Sequence, residues 1–187
     1  MLEPKGALAI AVVDRRIYLV GGVRDTVRLG SLHEFDTASS TWRVLPDLPT
    51  PRDHLVAGFL AGGILAVGGR NAATLELSTN EFFDFNTQTW RALPPMPTGR
   101  SGSAAAVFGS RFYVFGGEVD RNSSTGVFAN TEFFDTAGGQ WRTALRMEVP
   151  KHGTGTAVIG NRIIVPQGAT SAGIGPTNSC EAYVIGL

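Results

Sequence analysis

The sequence predicts an all-β protein in which one four-stranded unit is written repeatedly. Three observations carry this. Glycine pairs fall at Gly21-Gly22, Gly68-Gly69 and Gly116-Gly117, spaced 47 and 48 residues apart. Tryptophans follow at Trp42, Trp90 and Trp141, spaced 48 and 51. An aspartate, Asp36, Asp84 or Asp135, stands six residues before each tryptophan. A period near fifty that covers the chain is the mark of a repeat architecture, and no segment keeps a helical apolar period for ten residues.

Each period divides into four short apolar runs bounded by turn residues, here strands a to d. Strand a reads ALAIAVV, HLVAGFLA, SAAAVFG and TGTAVIG. Its small residues suit a crowded position near an axis. Strand b reads IYLVGG, ILAVGG and FYVFGG, with RIIVPQG in a weaker fourth copy where Gln167-Gly168 replaces the glycine pair. The pair allows torsions and close approaches that a Cβ forbids. Strand c reads LHEFD, EFFDF, TEFFD and CEAYVIG, and its aspartate opens the c–d turn by bonding its own local backbone. Strand d reads TWRVLP, TWRALP and QWRTAL, and the Trp rings offer large apolar area for packing one unit on the next.

Four antiparallel strands repeated in this way are the blades of a β-propeller. A glycine pair after an apolar run, with Asp-(x)5-Trp downstream, resembles the kelch repeat, the kind also seen in the central domain of galactose oxidase. The resemblance covers essentially the whole chain. It implies a kelch-type β-propeller or partial propeller with strand a nearest the axis and strand d outermost. Three complete four-stranded blades and a three-stranded fourth are expected, at about 6–48, 53–96, 101–146 and 152–187, in one region spanning 1–187. Residues 1–6 align with the linker that begins at Met147, so they are not expected to supply the missing strand. The family usually has five to seven blades, so the chain is expected to be part of a larger propeller. Completion by a partner chain and a closed four-bladed monomer remain open. An uncovered edge or face invites self-association.

Bulk composition narrows the partners. The 187 residues include 24 Gly and 10 Pro, with 43% apolar and 17% charged residues. Formal charge is zero, and no basic stripe of the kind that grips nucleic acid is present. One cysteine, Cys180, excludes an internal disulfide and is expected as a small apolar core residue. The short apolar run at the N-terminus is followed by Asp14, and the longest uncharged stretch, 55–69, is broken by glycines. Neither a signal peptide nor a membrane span is read, so a soluble, cytoplasmic chain without a membrane partner is expected.

Candidate binding positions lie in the b–c loops and the d–a linkers, which the family commonly gathers at one face. Cations Lys5, Arg52, Arg100 and Lys151 recur with the repeat, as do Glu81, Glu132 and Glu181. Recurrence argues for blade-level structural pairs. In the first blade His33 stands at the glutamate position with Glu34 one step away, which reads as a register change or a substitution. The non-repeating residues Arg24, Asp53, His54, Arg70, Asn71, Ser101, Glu118 and His152 are the better candidates, since variation on a fixed scaffold is where specificity is written. Val127 and Phe128, in the long third loop, read either as an exposed anchor or as residues folded back on the blade.

His33, His54 and His152 have no metal-ligand spacing, and no nucleophile elbow or phosphate-binding loop is present. The Cys–Tyr radical site of copper oxidases has no counterpart, and no cofactor is expected. The resulting expectation is a non-catalytic scaffold presenting variable loops to a protein partner. The alternative is a carbohydrate-active enzyme, similar to a sialic acid mutarotase, using Arg70, Glu118, His54 and His152 at the channel mouth.

Overall fold

The computed structural model describes residues 2–186, which form strands and turns and no helix. Blade 1 contains β1 (Ala9–Val13), β2 (Arg16–Val20), a ribbon of β3 (Val23–Arg24) and β4 (Val27–Arg28), then β5 (Leu32–Asp36) and β6 (Thr41–Leu45). Blade 2 contains β7 (Val56–Leu60), β8 (Gly63–Val67), β9 (Asn80–Asp84) and β10 (Thr89–Ala92). Blade 3 contains β11 (Ala104–Phe108), β12 (Arg111–Phe115), β13 (Thr131–Asp135) and β14 (Gln140–Thr143). The fourth contains β15 (Ala157–Ile159), β16 (Arg162–Pro166), a ribbon of β17 (Ala169–Ser171) and β18 (Ile174–Pro176), and β19 (Cys180–Val184). The main sheets run β1-β2-β5-β6, β7-β8-β9-β10, β11-β12-β13-β14 and β15-β16-β19, each antiparallel throughout. These are the three complete blades and the three-stranded fourth that the repeat predicts.

The first strands lie innermost. A central cavity of ≈ 300 Å³ is lined by residues of all four copies, among them Ala9, Ala57, Ala105 and Thr156. The d strands are outermost, and most of their side chains are exposed.

Neighbouring blades bury their facing apolar rows. Tyr18 and Leu45 pack with Ile64 and Phe83; Leu65 and Phe82 with Phe112 and Phe134; Tyr113 and Phe115 with Ile163 and Val165. Burying each such side chain contributes about 1.5–3 kcal/mol. The tryptophans join this packing. Trp42, Trp90 and Trp141 lie 4.7, 5.2 and 5.5 Å from Phe35, Phe83 and Phe134, the phenylalanines opposite them on strand c. The Trp90 and Trp141 indole N–H groups then reach into the preceding blade, donating to the carbonyls of Pro46 and Pro94 at 2.8 Å.

The aspartates act as their position predicts. Asp36 Oδ1 accepts from the amides of Ala38 and Ser39, Asp84 from Asn86 and Thr87, and Asp135 from Ala137. Of the glycine pairs, Gly69 shows the reason for its residue type. Its φ is +100°, and a Cβ there would lie 2.7 Å from the Asp53 carbonyl.

The recurring charges pair inside blades 2 to 4. Arg52 meets Glu81 at 2.5 Å, Arg100 meets Glu132, and Lys151 meets Glu181 at 3.3 Å. Both arginines are shielded from solvent and also donate to backbone carbonyls, as a buried charge requires. Register resolves blade 1. His33 pairs with Leu19 just as Glu81 pairs with Ala66 and Glu132 with Val114, so His33 is a substitution and the strand is not shifted.

Two blade faces stay uncovered among the described residues. Ile10, Val12 and Val44 are 56%, 59% and 68% exposed on blade 1. Ile159 and Val184 are 65% and 57% exposed on the fourth. Cys180 is exposed beside them, which corrects its expected place in a core: it sits on the uncovered side of β19.

Candidate functional site

Each blade closes one of its ends in the same way. The residue after the linker cation bridges to the residue that follows the glycine pair: Gly6 to Val23, Asp53 to Arg70, Ser101 to Glu118, His152 to Ala169. The backbone position is constant and the residue pair is not. The next residue, Ala7, His54, Gly102 or Gly153, is left-handed, with φ of 50°, 52°, 64° and 61°. These residues join the blades through their backbones. His54 N donates to Ala7 O at 2.8 Å, Gly102 N to His54 O at 3.0 Å, and Gly153 N to Gly102 O at 2.8 Å. Variable side chains from successive blades are thereby set beside one another.

They form a continuous polar chain. Asp53 is almost fully buried. Its Oδ1 accepts from His54 Nδ1 at 2.6 Å and Arg70 Nε at 2.8 Å, and its Oδ2 lies 2.9 Å from Arg28 Nε. Burial pushes the Asp53 carboxyl up, but the hydrogen bonds from His54 and Arg70 outweigh it and hold the group below the ordinary carboxylate range. Arg70 Nη2 donates to His54 Nε2 at 3.2 Å, so His54 carries its proton on Nδ1. Arg70 Nη1 reaches Glu118 at 3.3 Å across the next blade boundary. Beyond it, His152 Nδ1 lies 3.7 Å from Glu118 while Nε2 donates to Ser171 O at 2.9 Å.

Of the sequence-predicted residues, Asp53, His54, Arg70, Glu118 and His152 are thus brought together. Ser101 lies beside Glu118, fully shielded, its Oγ without a hydrogen-bond partner. Arg24 stands apart, exposed and 3.3 Å from Glu3. Asn71 spends its Oδ1 on the amides of Ala73 and Thr74, so it shapes its own loop. Val127 and Phe128 fold back, at 1% and 7% exposure, with the Arg100 guanidinium 5.0 Å from the Phe128 ring centre. Arg28 is the residue that sequence reasoning missed. The symmetric stretch VRDTVR is a hairpin signal, and β3 and β4 turn it back so that Arg28, not Arg24, reaches Asp53.

Arg, carboxylate and His do converge, as a sugar-isomerising site would require. Every nitrogen of Arg70 and His54 is engaged, by Asp53, by Glu118 or by the other of the pair. The arrangement builds a rigid patterned surface, with Arg28 and Arg70 about a quarter exposed at its top.

Comparison with known proteins agrees with this architecture. The family model described as the KLHDC2/KLHL20/DRC7 Kelch-repeats domain matches residues 7–180. Kelch-like protein terF of Aspergillus terreus is 33% identical over 177 residues, covering 90% of this chain and 39% of that protein. Kelch-like ECH-associated protein 1A of Danio rerio is 33% identical over 78 residues, 40% of this chain and 13% of that protein. Kelch-like protein 41b of the same fish is 24% identical over 187 residues, 96% of this chain and 30% of that protein. The chain spans well under half the length of these relatives. With its blades, their repeated bridges and this match along nearly its full length, the chain belongs to the kelch-repeat family.

Proposed function

We propose that the chain is a binding scaffold whose b–c loops and d–a linkers present the Arg28–Asp53–Arg70–His54–Glu118–His152 surface to a protein partner. One observation carries this reading: the residues that escape the repeat are the ones that the repeated backbone bridges gather at one end. The mechanism is rigid display. Backbone bonds fix the loop bases, Asp53 orients two arginines, and a partner meets side chains that have already lost much of their freedom, which lowers the cost of binding. The names of the relatives, one of them an ECH-associated protein, accord with an interaction module.

The test compares three immobilised chains against extract from the source cell: the parent, Arg28→Glu/Arg70→Glu, and Thr87→Lys at the opposite end. A protein retained by the parent and Thr87→Lys but lost by the double variant is the expected result. Retention by all three, or by none, overturns the reading. So would saturable interconversion of sugar anomers that His54→Ala abolishes.

A further inference from the structure

Blades 1 and 2, each with its four strands, meet in a corner at the a–b and c–d turns, the end of the blades opposite the loop surface. That corner departs from the repeat three times. The first departure is in the c–d turn of blade 2. In blades 1 and 3 a threonine caps its own a–b hairpin: Thr37 Oγ1 donates to Arg15 O at 2.8 Å, and Thr136 Oγ1 to Ser110 O at 2.9 Å. Blade 2 has Phe85 in that place. It keeps only a backbone bond, to Gly62 O at 3.3 Å. Its ring turns across the boundary onto Tyr18, 5.0 Å away, and Phe59 backs it at 5.7 Å. The second departure is the hairpin tip of blade 1, which is Asp14-Arg15 where the other tips read Ala61-Gly62, Gly109-Ser110 and Gly160-Asn161. The third is Val13, just before that tip, a smaller side chain than Leu60, Phe108 or Ile159.

Together these changes open a cavity of ≈ 630 Å³ lined by Val13, Asp14, Arg15, Arg16, Tyr18 and Phe85. The counterpart between blades 3 and 4, with Phe108, Gly109 and Ser110 in those places, holds ≈ 170 Å³. The larger volume suits a small-molecule ligand. Its apolar wall is Val13 and Phe85, both half-buried, so an incoming ring can pack on them. Its polar wall carries one unspent charge of each sign. Arg16 is already balanced, 3.7 Å from Glu34 and 3.8 Å from Asp36. The Asp14 carboxylate and the Arg15 guanidinium are exposed, and neither has an ion-pair partner among the described residues.

We propose that this corner binds a small aromatic zwitterion, of the class of the free aromatic amino acids. The ring packs on Phe85 and Val13, the ligand's carboxylate meets Arg15, and its ammonium meets Asp14. Ring burial supplies affinity. The two charges supply selectivity, because a ligand with only one of them leaves Asp14 or Arg15 unanswered. The site shares no residue with the loop surface and does not depend on the reading given for it.

The probe is labelled L-tryptophan, dialysed to equilibrium against the 187-residue chain. Saturable binding is expected, weakened on the order of tenfold by Phe85→Thr. That variant carries the residue that blades 1 and 3 have there, so it restores a hairpin cap rather than removing a fold element. Tryptamine, without the carboxylate, and indole-3-propionate, without the ammonium, should each bind about three- to fivefold more weakly, as loss of one exposed charge pair predicts. Asp14→Asn should remove the preference for L-tryptophan over indole-3-propionate, and Arg15→Gln the preference over tryptamine. Val44→Lys, on the bare face of blade 1, should change nothing. Absence of saturable binding overturns the proposal. So does a Phe85→Thr chain that binds like the parent, equal affinity for the three ligands, or a preference over indole-3-propionate that survives Asp14→Asn. Binding lost on Val44→Lys overturns it too, by placing the ligand on the bare face.

Discussion

Asp53 carries the loop surface with a single buried carboxylate. Asp53→Ala would leave Arg28, Arg70 and His54 without their counter-charge and should cost about 2–3 kcal/mol in urea unfolding near neutral pH, less than a fully buried pair because both arginines reach solvent. Its pH dependence is set by direction. The folded state holds the Asp53 carboxyl below its ordinary value, so its stabilisation is complete above the ordinary carboxylate range and is lost as pH falls through the folded value. The gap between parent and Asp53→Asn should therefore narrow toward acid pH. A gap that stays constant down to strongly acid pH would contradict this assignment. His54 sits in a left-handed conformation where blades 3 and 4 have glycine. His54→Gly should thus relieve about 1 kcal/mol of backbone strain while removing two side-chain bonds, leaving the melting temperature little changed. The clustered residues were legible because they break the period. Arg28 was not, since only the closed ribbon shows that its loop doubles back. Arg24 falls outside the cluster because adjacency to a glycine pair in sequence does not say which side of the ribbon a side chain takes.

At the scale of the element, blade 1 exchanges the charges of its neighbours. The strand-c glutamate becomes His33, and Glu3 stands two residues before Lys5, where Thr50 and Thr98 precede Arg52 and Arg100. Glu3 accepts from Ser31 at 2.5 Å and lies 3.9 Å from both Lys5 and His33. Burial holds the His33 imidazole below its usual value. The change His33→Glu alone should destabilise by crowding two carboxylates, and Glu3→Thr should restore stability in the double variant, with a coupling of about 1–2 kcal/mol by double-mutant cycle. The tryptophans give a comparison within one chain. Trp90→Phe removes the bond to Pro46 and should cost about 1 kcal/mol more than Trp42→Phe, because Trp42 has no acceptor among the described residues. Strand order, the aspartate turns and the indole stacking could all be read from the spacing, since each follows from residues a fixed distance apart. The indole-to-proline bonds could not, because they join different periods and depend on how the blades lean together.

At the scale of the molecule, one face of blade 1 is a row of apolar side chains that no described residue covers. Such a face favours association. Light scattering on the 187-residue chain should give a mass that rises with concentration above 19.8 kDa, and Ile10→Lys with Val44→Lys should return it to the monomer value. A constant monomer mass for the parent would mean that this face is tolerated bare. The period announced how many blades to expect and in what order. It said nothing of which faces would be left bare, because the same alternation describes a strand with a neighbour and one without.

The bonds from Ala7 to His54 to Gly102 to Gly153 use main-chain atoms alone. The joint between blades therefore asks of its residues only that they tolerate a left-handed turn. Side chains on the loop surface can drift or be redesigned blade by blade, and the hinge pins beneath them stay the same. A chain of this kind can change what it recognises without having to learn again how to stand.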